Sequence, residues 1–321
     1  SCSVFLNFRG ASSAAKLQAF LTKALLCGML LAMGVSIVTG SPDNAMPVFS
    51  QVAGAGGGVA ETESTNLLAG IVSVLVLTPF FYAGFDTIPQ QAEEAAEGLN
   101  WNKFGKIITL ALLAAGGFYM VCIYSFGTIL PWNEFVAQPV PALACLKNIN
   151  MILYVAMLVI ATLGPMGPMN SFYGATSRIM LAMGRKGQLP EKFAEVDEKS
   201  GAPKLACVVL GIITVIGPFL GKNMLIPLTN VSALAFILSC TMVALACLKM
   251  RYTEPDLPRP YKVPGGKFGI LLAILAGAII IGLLVLPFSP ASLNMVEWSI
   301  VLGWLVVGLI LMFATKARAK K

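Results

Sequence analysis

Long apolar segments separated by short polar ones dominate this chain of 321 residues. Each apolar segment approaches or exceeds the length that a helix needs to cross a bilayer, about 20 residues. Because lipid offers no hydrogen bonds to the backbone, such spans are helical rather than open sheet. The pattern therefore predicts an all-α polytopic membrane protein with eight transmembrane helices, at roughly 17–39, 67–85, 107–130, 149–183, 205–221, 224–248, 268–287 and 297–313.

The second of these segments is interrupted. The residues from Leu67 to Phe85 carry no charge, yet Gly84, Asp86 and two prolines, at 79 and 89, fall within a short space at its end. Each of these residues weakens a helix or frees a backbone polar group. Irregular backbone persists at membrane depth only where it is buried in protein or lines a cavity. A broken span is typical of a transporter's substrate site, and we predict such a site here.

The segment at 149–183 is too long for one perpendicular crossing, because a helix of that length runs about 52 Å. Two prolines, Pro165 and Pro168, lie near its centre. Each removes a helical hydrogen bond and frees the carbonyl four residues earlier, at Ala161 and Gly164. Free carbonyls at this depth are candidate ligands for a coupling cation. The alternative, which we favour for these residues alone, is a kink satisfied by neighbouring helices.

The distribution of charge predicts the orientation in the membrane. The chain has 22 Lys and Arg against 15 Asp and Glu, for a net charge of +7. If both chain ends are cytoplasmic, all the basic residues except Lys147 and Lys222 lie on the inner side or at inner span ends, as the positive-inside rule requires. The excess of basic residues therefore indicates the orientation of the chain in the membrane and, secondarily, an attraction to anionic lipid. It does not indicate a nucleic-acid partner.

The residue types that most enzymes use are scarce. The chain contains no histidine, which removes Ser-His-Asp triads, histidine relays and most zinc sites. The seven cysteines show no metal-ligand spacing. We expect no enzymatic activity, no metal and no cofactor beyond a possible coupling ion.

Polar segments connect the spans. The segment at 40–66 contains a glycine run at 54–58 that is typical of a flexible linker. The segment at 90–106 combines three glutamates with two following lysines, which predicts a short amphipathic helix at the inner surface. Prolines at alternate positions between Arg251 and Gly266 favour a stiff, extended connector.

Four separated motifs resemble the amino acid–polyamine–organocation (APC) superfamily of permeases. In family order and spacing they are Asn7-Phe8-Arg9-Gly10; Gly84-Phe85-Asp86 with Ala92-Glu93-Glu94; Ser177-Arg178 through Gly187-Gln188-Leu189-Pro190; and Asp256-Leu257-Pro258-Arg259-Pro260-Tyr261-Lys262-Val263-Pro264-Gly265. Together they cover essentially the whole chain. The resemblance implies part of a transporter fold built from two inverted five-span repeats and two further spans.

The resemblance also implies which part of that fold is present. The first motif resembles the inner loop between family spans 4 and 5, so the chain would hold spans 5 to 12 with both ends cytoplasmic. Residues 1–66 would be the end of span 4, span 5 and an outer loop, and 67–248 the second repeat with its broken span 6. Residues 249–321 would be a cytoplasmic connector with spans 11 and 12. Because no charged leader precedes Ser1, we expect a larger protein whose first four spans are not included; a processed or short N-terminus is the alternative.

In the family, substrate lies between broken spans 1 and 6, with its carboxylate near a half-helix N-terminus and its amine near carbonyl ends. The resemblance implies that Phe80 is an aromatic gate. Tyr82, Ala83 and Gly84 would offer carbonyls or shape the pocket. Asp86 would cap the inner half-helix or help couple its motion, and an ionisable group inside a span is functional by default. Ordinary packing of Phe80 and a purely capping role of Asp86 stay open.

Further candidates for the pocket lining lie on two other spans. They are Asn170 and Phe172 on span 8, and Asn230 and Ser232 near the start of span 10.

The coupling ion is open between a proton and sodium. Some proton-coupled relatives place a span-5 lysine where Leu25 stands here, two residues after Lys23. Lys23 either snorkels to the inner interface, which we favour, or carries a proton. Asp86, Ala161 and Gly164 are the other candidates for ion coupling.

Together these features predict secondary-active transport of a small-molecule amino acid, or a related amine, by alternating access. We expect a multi-pass protein of the plasma (inner) membrane whose surroundings are the lipid bilayer. Few acidic residues lie in the membrane interior, which favours neutral amino acids. A non-transporting nutrient sensor or partner subunit that keeps the fold is the alternative. The specific substrate and any oligomeric partner stay open.

Overall fold

Helices make up nearly all of the regular structure in the computed structural model of this protein. The structure describes residues 11–45, 67–90, 100–138, 140–197, 201–259 and 261–319. These residues form thirteen α-helices and no strand, which confirms the all-α membrane fold. The motif at 7–10, the glycine run at 54–58 and most of the predicted amphipathic segment at 90–106 lie outside the described residues.

The helices follow one another along the chain with short connections. They are α1 (Ala11–Thr39), α2 (Leu67–Leu75), α3 (Thr78–Tyr82), α4 (Thr87–Gln90), α5 (Trp101–Gly127), α6 (Trp132–Ala137), α7 (Pro141–Ile149), α8 (Met151–Leu163), α9 (Met166–Arg185), α10 (Lys204–Ile216), α11 (Leu225–Thr253), α12 (Gly266–Val285) and α13 (Met295–Ala319), with 3-10 turns at Pro42–Ala45, Glu191–Ala194, Gly217–Leu220 and Lys222–Met224.

Six stretches of the described chain are long and apolar enough to cross a membrane, and they match six of the eight predicted spans. They are Ala19–Thr39, Lys103–Gly127, Met151–Arg185, Leu225–Thr253, Gly266–Val285 and Met295–Phe313. The segment at 67–85, which the sequence predicts as a broken span, is divided into the separate helices α2 and α3, with Pro79 in the first turn of α3. The span predicted at 205–221 is a shorter apolar stretch, Lys204–Leu220, that ends in a 3-10 turn.

Side-chain caps explain where two helices begin. The Asn100 Oδ1 accepts a hydrogen bond from the Lys103 N–H at 3.1 Å, so α5 starts earlier than the apolar run at 107 predicts. The Asn150 Oδ1 accepts from the Ile152 N–H at 2.8 Å and begins α8 in the same way. These capping signals were readable in the sequence but lay outside the apolar pattern.

Two buried clusters hold the helices together. The first consists of Ala32, Met33, Phe126, Leu146 and Met157, and it joins α1, α5, α7 and α8. The second consists of Val76, Leu77, Leu234, Leu284 and Leu293, and it joins the turn between α2 and α3 to α11, α12 and the start of the α13 region. Most other large apolar side chains point outward, as expected for a surface solvated by lipid tails.

A polar contact ties the end of α1 to the end of α5. The carbonyl oxygen of Thr128 accepts hydrogen bonds from the Ser41 N–H at 2.8 Å and from the Asn44 side-chain amide at 2.9 Å. The Thr128 hydroxyl donates to the carbonyl of Ser125 at 2.7 Å and to that of Ser36 at 3.2 Å. These bonds pair backbone groups of both helices close to the point where the chain leaves them.

Small residues let α11 and α12 pack closely, in what is the most extensive helix pair of the structure. A Cβ added to Gly277 on α12 would overlap the hydroxyl of Thr241 on α11. That hydroxyl is held in place because it donates to the Ile237 carbonyl at 2.7 Å. Close approach of two backbones stabilises the association of helices in lipid, where burial of apolar surface contributes little.

We predict that Gly277→Ala destabilises the protein by about 1–3 kcal/mol, because the added methyl group must displace a fixed side chain. The matched control is Gly303→Ala on α13, where a Cβ would meet no described atom within 4 Å. Thermal unfolding of both variants in the same detergent measures the difference. Equal unfolding temperatures would contradict close packing of α11 against α12.

Candidate functional site

The break after α3 is a four-residue turn, Ala83 to Asp86, followed by the short helix α4. Gly84 has φ of 129°, a backbone conformation that only glycine adopts readily. Ala83 leaves the helix with φ −57° and ψ 138°. The chain therefore changes direction at the place where the sequence predicts a broken span.

Asp86 organises this turn through both carboxylate oxygens. Its Oδ1 accepts the Gly84 N–H at 2.9 Å, and its Oδ2 accepts the Gln90 side-chain amide at 2.9 Å. The first bond runs backward, to the residue before the turn centre, rather than forward into α4. The half-buried carboxylate thus stabilises the turn itself as well as the helix that follows.

The backbone carbonyls of the break differ in whether they have partners. The Gly84 carbonyl accepts from the Thr87 hydroxyl at 2.7 Å and from the Thr87 N–H at 3.2 Å. Both of its acceptor positions are therefore occupied in this conformation. Of the two roles predicted for Gly84, offering a carbonyl or shaping the pocket, the second agrees with this turn and stays a prediction. For the carbonyls of Tyr82 and Ala83, no donor is found among the described residues.

Aromatic rings of α3 and α5 pack next to the break. Phe81 and Tyr119 have ring centroids 6.3 Å apart, and Tyr82 and Tyr119 are 6.0 Å apart. The Tyr119 hydroxyl donates to the Phe81 carbonyl at 2.9 Å. Phe80 lies edge-on to Phe81 at 6.3 Å and is 41% exposed, so space is available beside it; its role as a gate stays a prediction.

Tyr119 and Gly116 on α5 are part of this site although sequence reasoning did not select them. A Cβ on Gly116 would lie 2.5 Å from the Tyr82 hydroxyl, so the glycine makes room for that side chain. The two α5 residues are three apart and share one helix face. A glycine and a tyrosine at this spacing in an apolar helix are a weak signal, and only the tertiary contact identifies them.

Helices α9 and α11 supply the other candidates. A Cβ on Gly84 would lie 4.0 Å from the ring of Phe172, so α9 meets the break where predicted. Asn170 is buried two residues nearer the start of α9, which turns its side chain about 200° from that of Phe172. On α11 the ring of Phe236 lies 6.0 Å from that of Phe85, and the exposed Ser232 is one turn before Phe236 on the same face.

Asn230 has a structural partner on another helix, and its part in lining the pocket stays a prediction. Its side-chain amide donates to Glu297 Oε1 at 2.6 Å. Glu297 is 2% exposed and forms a capping box with Asn294: its Oε2 accepts the Asn294 N–H at 2.7 Å, and its N–H donates to the Asn294 Oδ1 at 2.9 Å. The Asn-x-x-Glu spacing at the start of α13 could have revealed this structural role.

The proline break at α8–α9 agrees with the kink that we favour for these residues. The Gly164 carbonyl accepts the Gly167 N–H at 3.2 Å, and a role of Gly164 in ion coupling stays a prediction. A Cβ on Gly164 would lie 2.8 Å from Leu25 on α1, so this kink packs against α1. Ala161 is exposed on α8, and its role in ion coupling stays a prediction.

Lys23 is exposed on α1. It precedes Leu25 by two positions, which turns its side chain about 200° away from the residue that contacts Gly164. Its position suits snorkelling toward the membrane interface, and proton coupling through it stays untested. Within the described residues no group of three or more His, Cys, Asp or Glu side chains could hold a metal ion.

A helical membrane protein with a span broken at a polar turn is typical of secondary transporters. The chain matches the family model described as amino acid permease over residues 3–312. It therefore belongs to the amino acid permease family, and the resemblance to the APC superfamily is confirmed.

Three proteins with similar sequences are named as transporters or permeases. The branched-chain amino acid permease BcaP of Bacillus subtilis (strain 168) is 26% identical over 255 residues, which are 78% of this chain and 52% of that protein. The human cystine/glutamate transporter is 26% identical over 263 residues, 81% of this chain and 49% of the relative. The aspartate-proton symporter of Bacillus subtilis (strain 168) is 30% identical over 164 residues, which are 50% of this chain and 28% of that protein. The chain thus spans about half the length of the first two relatives.

We predict that Gly84→Ala costs about 1–3 kcal/mol, because a residue with a Cβ is strained at this positive φ. The control is Gly117→Ala in α5, which has ordinary helical backbone and no described atom within 4 Å of an added Cβ. Thermal unfolding of the two variants in one detergent is the measurement. If Gly84→Ala unfolds at the temperature of Gly117→Ala, the turn does not have this backbone conformation.

Proposed function

We propose that this chain takes part in secondary-active transport of an amino acid across the membrane, with the break at 82–86 as part of the substrate site. The observation that carries the proposal is the pair of adjacent carbonyls, Tyr82 and Ala83, that lack donors among the described residues. An unpaired carbonyl in a low-dielectric surrounding is costly unless a ligand donates to it. The ammonium group of an amino acid is such a donor.

The surroundings of these carbonyls favour an amine over an anion. Asp86 lies a few residues away, and each of its carboxylate oxygens accepts one hydrogen bond within the turn and keeps a second acceptor position. A negative charge near a carbonyl pair stabilises a bound cation. The substrate carboxylate would then point away from Asp86, toward groups that the resemblance assigns to family span 1.

The side-chain part of the site favours a neutral, apolar substrate. Phe80, Phe81 and Tyr119 present ring faces and edges next to the break, and the Phe172 ring would lie 4.0 Å from a Cβ at Gly84. No charged side chain is in these contacts. BcaP is named as a branched-chain amino acid permease, which agrees with an apolar site.

The proposed mechanism is alternating access, in which one group of helices rocks against another around the break. The turn at Ala83 to Asp86 is the natural bending point, since Gly84 already occupies a conformation outside the helical region. The distribution of basic residues supports cytoplasmic chain ends in a plasma membrane. A proton or sodium gradient would supply the energy.

We predict that the complete product of the gene encoding these residues takes up neutral amino acids into proteoliposomes. Uptake is measured for a panel of amino acids under an inward proton gradient and, separately, an inward sodium gradient. Stimulation by one gradient and not the other identifies the coupling ion. Absence of uptake for every amino acid under both gradients would refute the transport proposal.

The same assay applied to residues 1–321 alone is expected to show no uptake. The chain spans about half the length of its relatives, and the resemblance assigns much of the amine and carboxylate binding to a span outside it. Uptake by these residues equal to that of the complete product would show that no further span is needed.

Two variants separate the structural role of Asp86 from its charge. Asp86→Ala removes both acceptors of the turn, and we expect it to lower stability by about 1.5–3 kcal/mol. Asp86→Asn keeps an oxygen for the Gly84 N–H but removes the charge, so we expect a smaller loss of stability with uptake reduced about tenfold or more, which corresponds to about 1.4 kcal/mol. If a stable Asp86→Asn protein shows normal uptake, the charge of Asp86 has no role in transport and the residue only stabilises the turn.

A further inference from the structure

A groove of about 620 Å³ opens on the side of the protein between the start of α5 and the connector that leads into α12. It is remote in sequence from the broken helix and shares no lining residue with it. The lining combines two lysines with apolar and hydroxyl-bearing side chains: Lys106, Thr109, Leu110, Leu113, Tyr261, Lys262 and Pro264. Its size falls within the range of ligand-binding clefts.

One arginine fixes the connector that forms a wall of this groove. The Arg259 Nη1 donates to the carbonyls of Pro255 at 2.8 Å and Leu257 at 2.9 Å. Its Nη2 donates to the carbonyls of Glu254 at 2.6 Å and Met250 at 3.1 Å. The planar guanidinium thus binds the last turn of α11 and the following loop together, so that the wall is preformed.

The connector then packs against α5 at a glycine. A Cβ on Gly105 would lie 2.6 Å from the ring of Tyr261, so only glycine admits the ring at this distance. The Tyr261 and Thr109 hydroxyl oxygens lie 3.4 Å apart. Tyr261 therefore forms the floor of the groove, with Lys106 beside it on α5 and Lys262 next to it in the connector.

The charge in the groove is positive and unbalanced. Lys106 and Lys262 are both exposed, and neither ammonium group has an acidic partner among the described residues. By contrast, Lys204 pairs with Asp197 at 2.7 Å, and Lys267 lies 4.0 Å above the ring of Tyr252. The two groove lysines are thus available to an anion.

The groove lies where lipid headgroups meet the protein. The apolar stretch of α5 begins at Lys103 and that of α12 at Gly266, so Lys106 and Lys262 are both close to one end of their spans. Leu110 and Leu113, 67% and 71% exposed, continue the groove along α5 toward the membrane interior. Lysines at span ends extend their ammonium groups to headgroup level.

We propose that this groove binds one anionic phospholipid of the adjacent leaflet, with its phosphate between Lys106 and Lys262 and an acyl chain along Leu110 and Leu113. Charge complementarity and the continuous apolar path from the headgroup level select a lipid over a soluble anion, which would leave the leucines uncovered. Basic pockets between membrane helices bind acidic headgroups in this way. The distribution of basic residues places this end of α5 and α12 on the cytoplasmic side.

Native mass spectrometry of the full chain tests the proposal with phosphatidylglycerol, phosphatidylcholine and inorganic phosphate as probes. We expect phosphatidylglycerol to bind in preference to phosphatidylcholine, with no displacement by phosphate. The double variant Lys106→Gln, Lys262→Gln should weaken phosphatidylglycerol binding about 30-fold, since each lysine near a lipid surface contributes about 1 kcal/mol. The control Lys249→Gln, an exposed lysine at the end of α11 outside the groove, should change binding less than about twofold.

A third variant, Leu113→Trp, keeps both lysines and fills the acyl path. Because Leu113 is exposed, the substitution leaves the packed core intact, and we expect it to reduce retention of phosphatidylglycerol about tenfold or more. Equal binding of the two lipids, an equal loss in Lys249→Gln and in the double variant, or displacement by inorganic phosphate would overturn the proposal. So would undiminished phosphatidylglycerol binding in both the double variant and Leu113→Trp.

Discussion

Lipid supplies no hydrogen bonds, so the backbone at a broken span must find its partners inside the protein. The turn at 83–86 meets this constraint with side chains. Asp86 accepts the Gly84 N–H, Thr87 donates twice to the Gly84 carbonyl, and Tyr119 reaches from α5 to the Phe81 carbonyl. What these side chains leave unpaired defines where a polar ligand can bind. The candidate site therefore consists of the backbone groups at the turn that have no partner among the described residues.

The second break of the chain meets the same constraint by packing. The Gly164 carbonyl accepts a hydrogen bond from the N–H of Gly167, three residues later, and Leu25 fills the space that a side chain at Gly164 would need. An apolar neighbour offers nothing to a cation, so Gly164 in this arrangement is a kink and a helix contact. Two proline-containing breaks of similar composition thus differ because one is surrounded by hydroxyls and a carboxylate and the other by a leucine.

Sequence reasoning located the helices and the break because both depend on local chemistry. Gly84 and Asp86 are unusual in an apolar run, and each has a specific role in the turn. Tyr119 was missed because its function depends on a partner 38 residues away. The partner of Asn230 was missed for the same reason, since Glu297 lies 67 residues further along the chain. Residue type predicts that a polar group in a membrane needs a partner, but only the fold selects which one.

The two buried clusters are formed by different helices. The turn before α3 is packed into the second cluster through Val76 and Leu77, whereas α5, which carries Tyr119, is packed into the first through Phe126. The hydrogen bond from Tyr119 to the Phe81 carbonyl therefore links the two packed units directly at the break. Displacement of one unit relative to the other must stretch this bond or rotate the backbone at Gly84, because the clusters themselves resist deformation. Among the described residues, the Tyr119–Phe81 hydrogen bond and the turn at Gly84 both lie at the candidate site, so motion between the two packed units would act on that site.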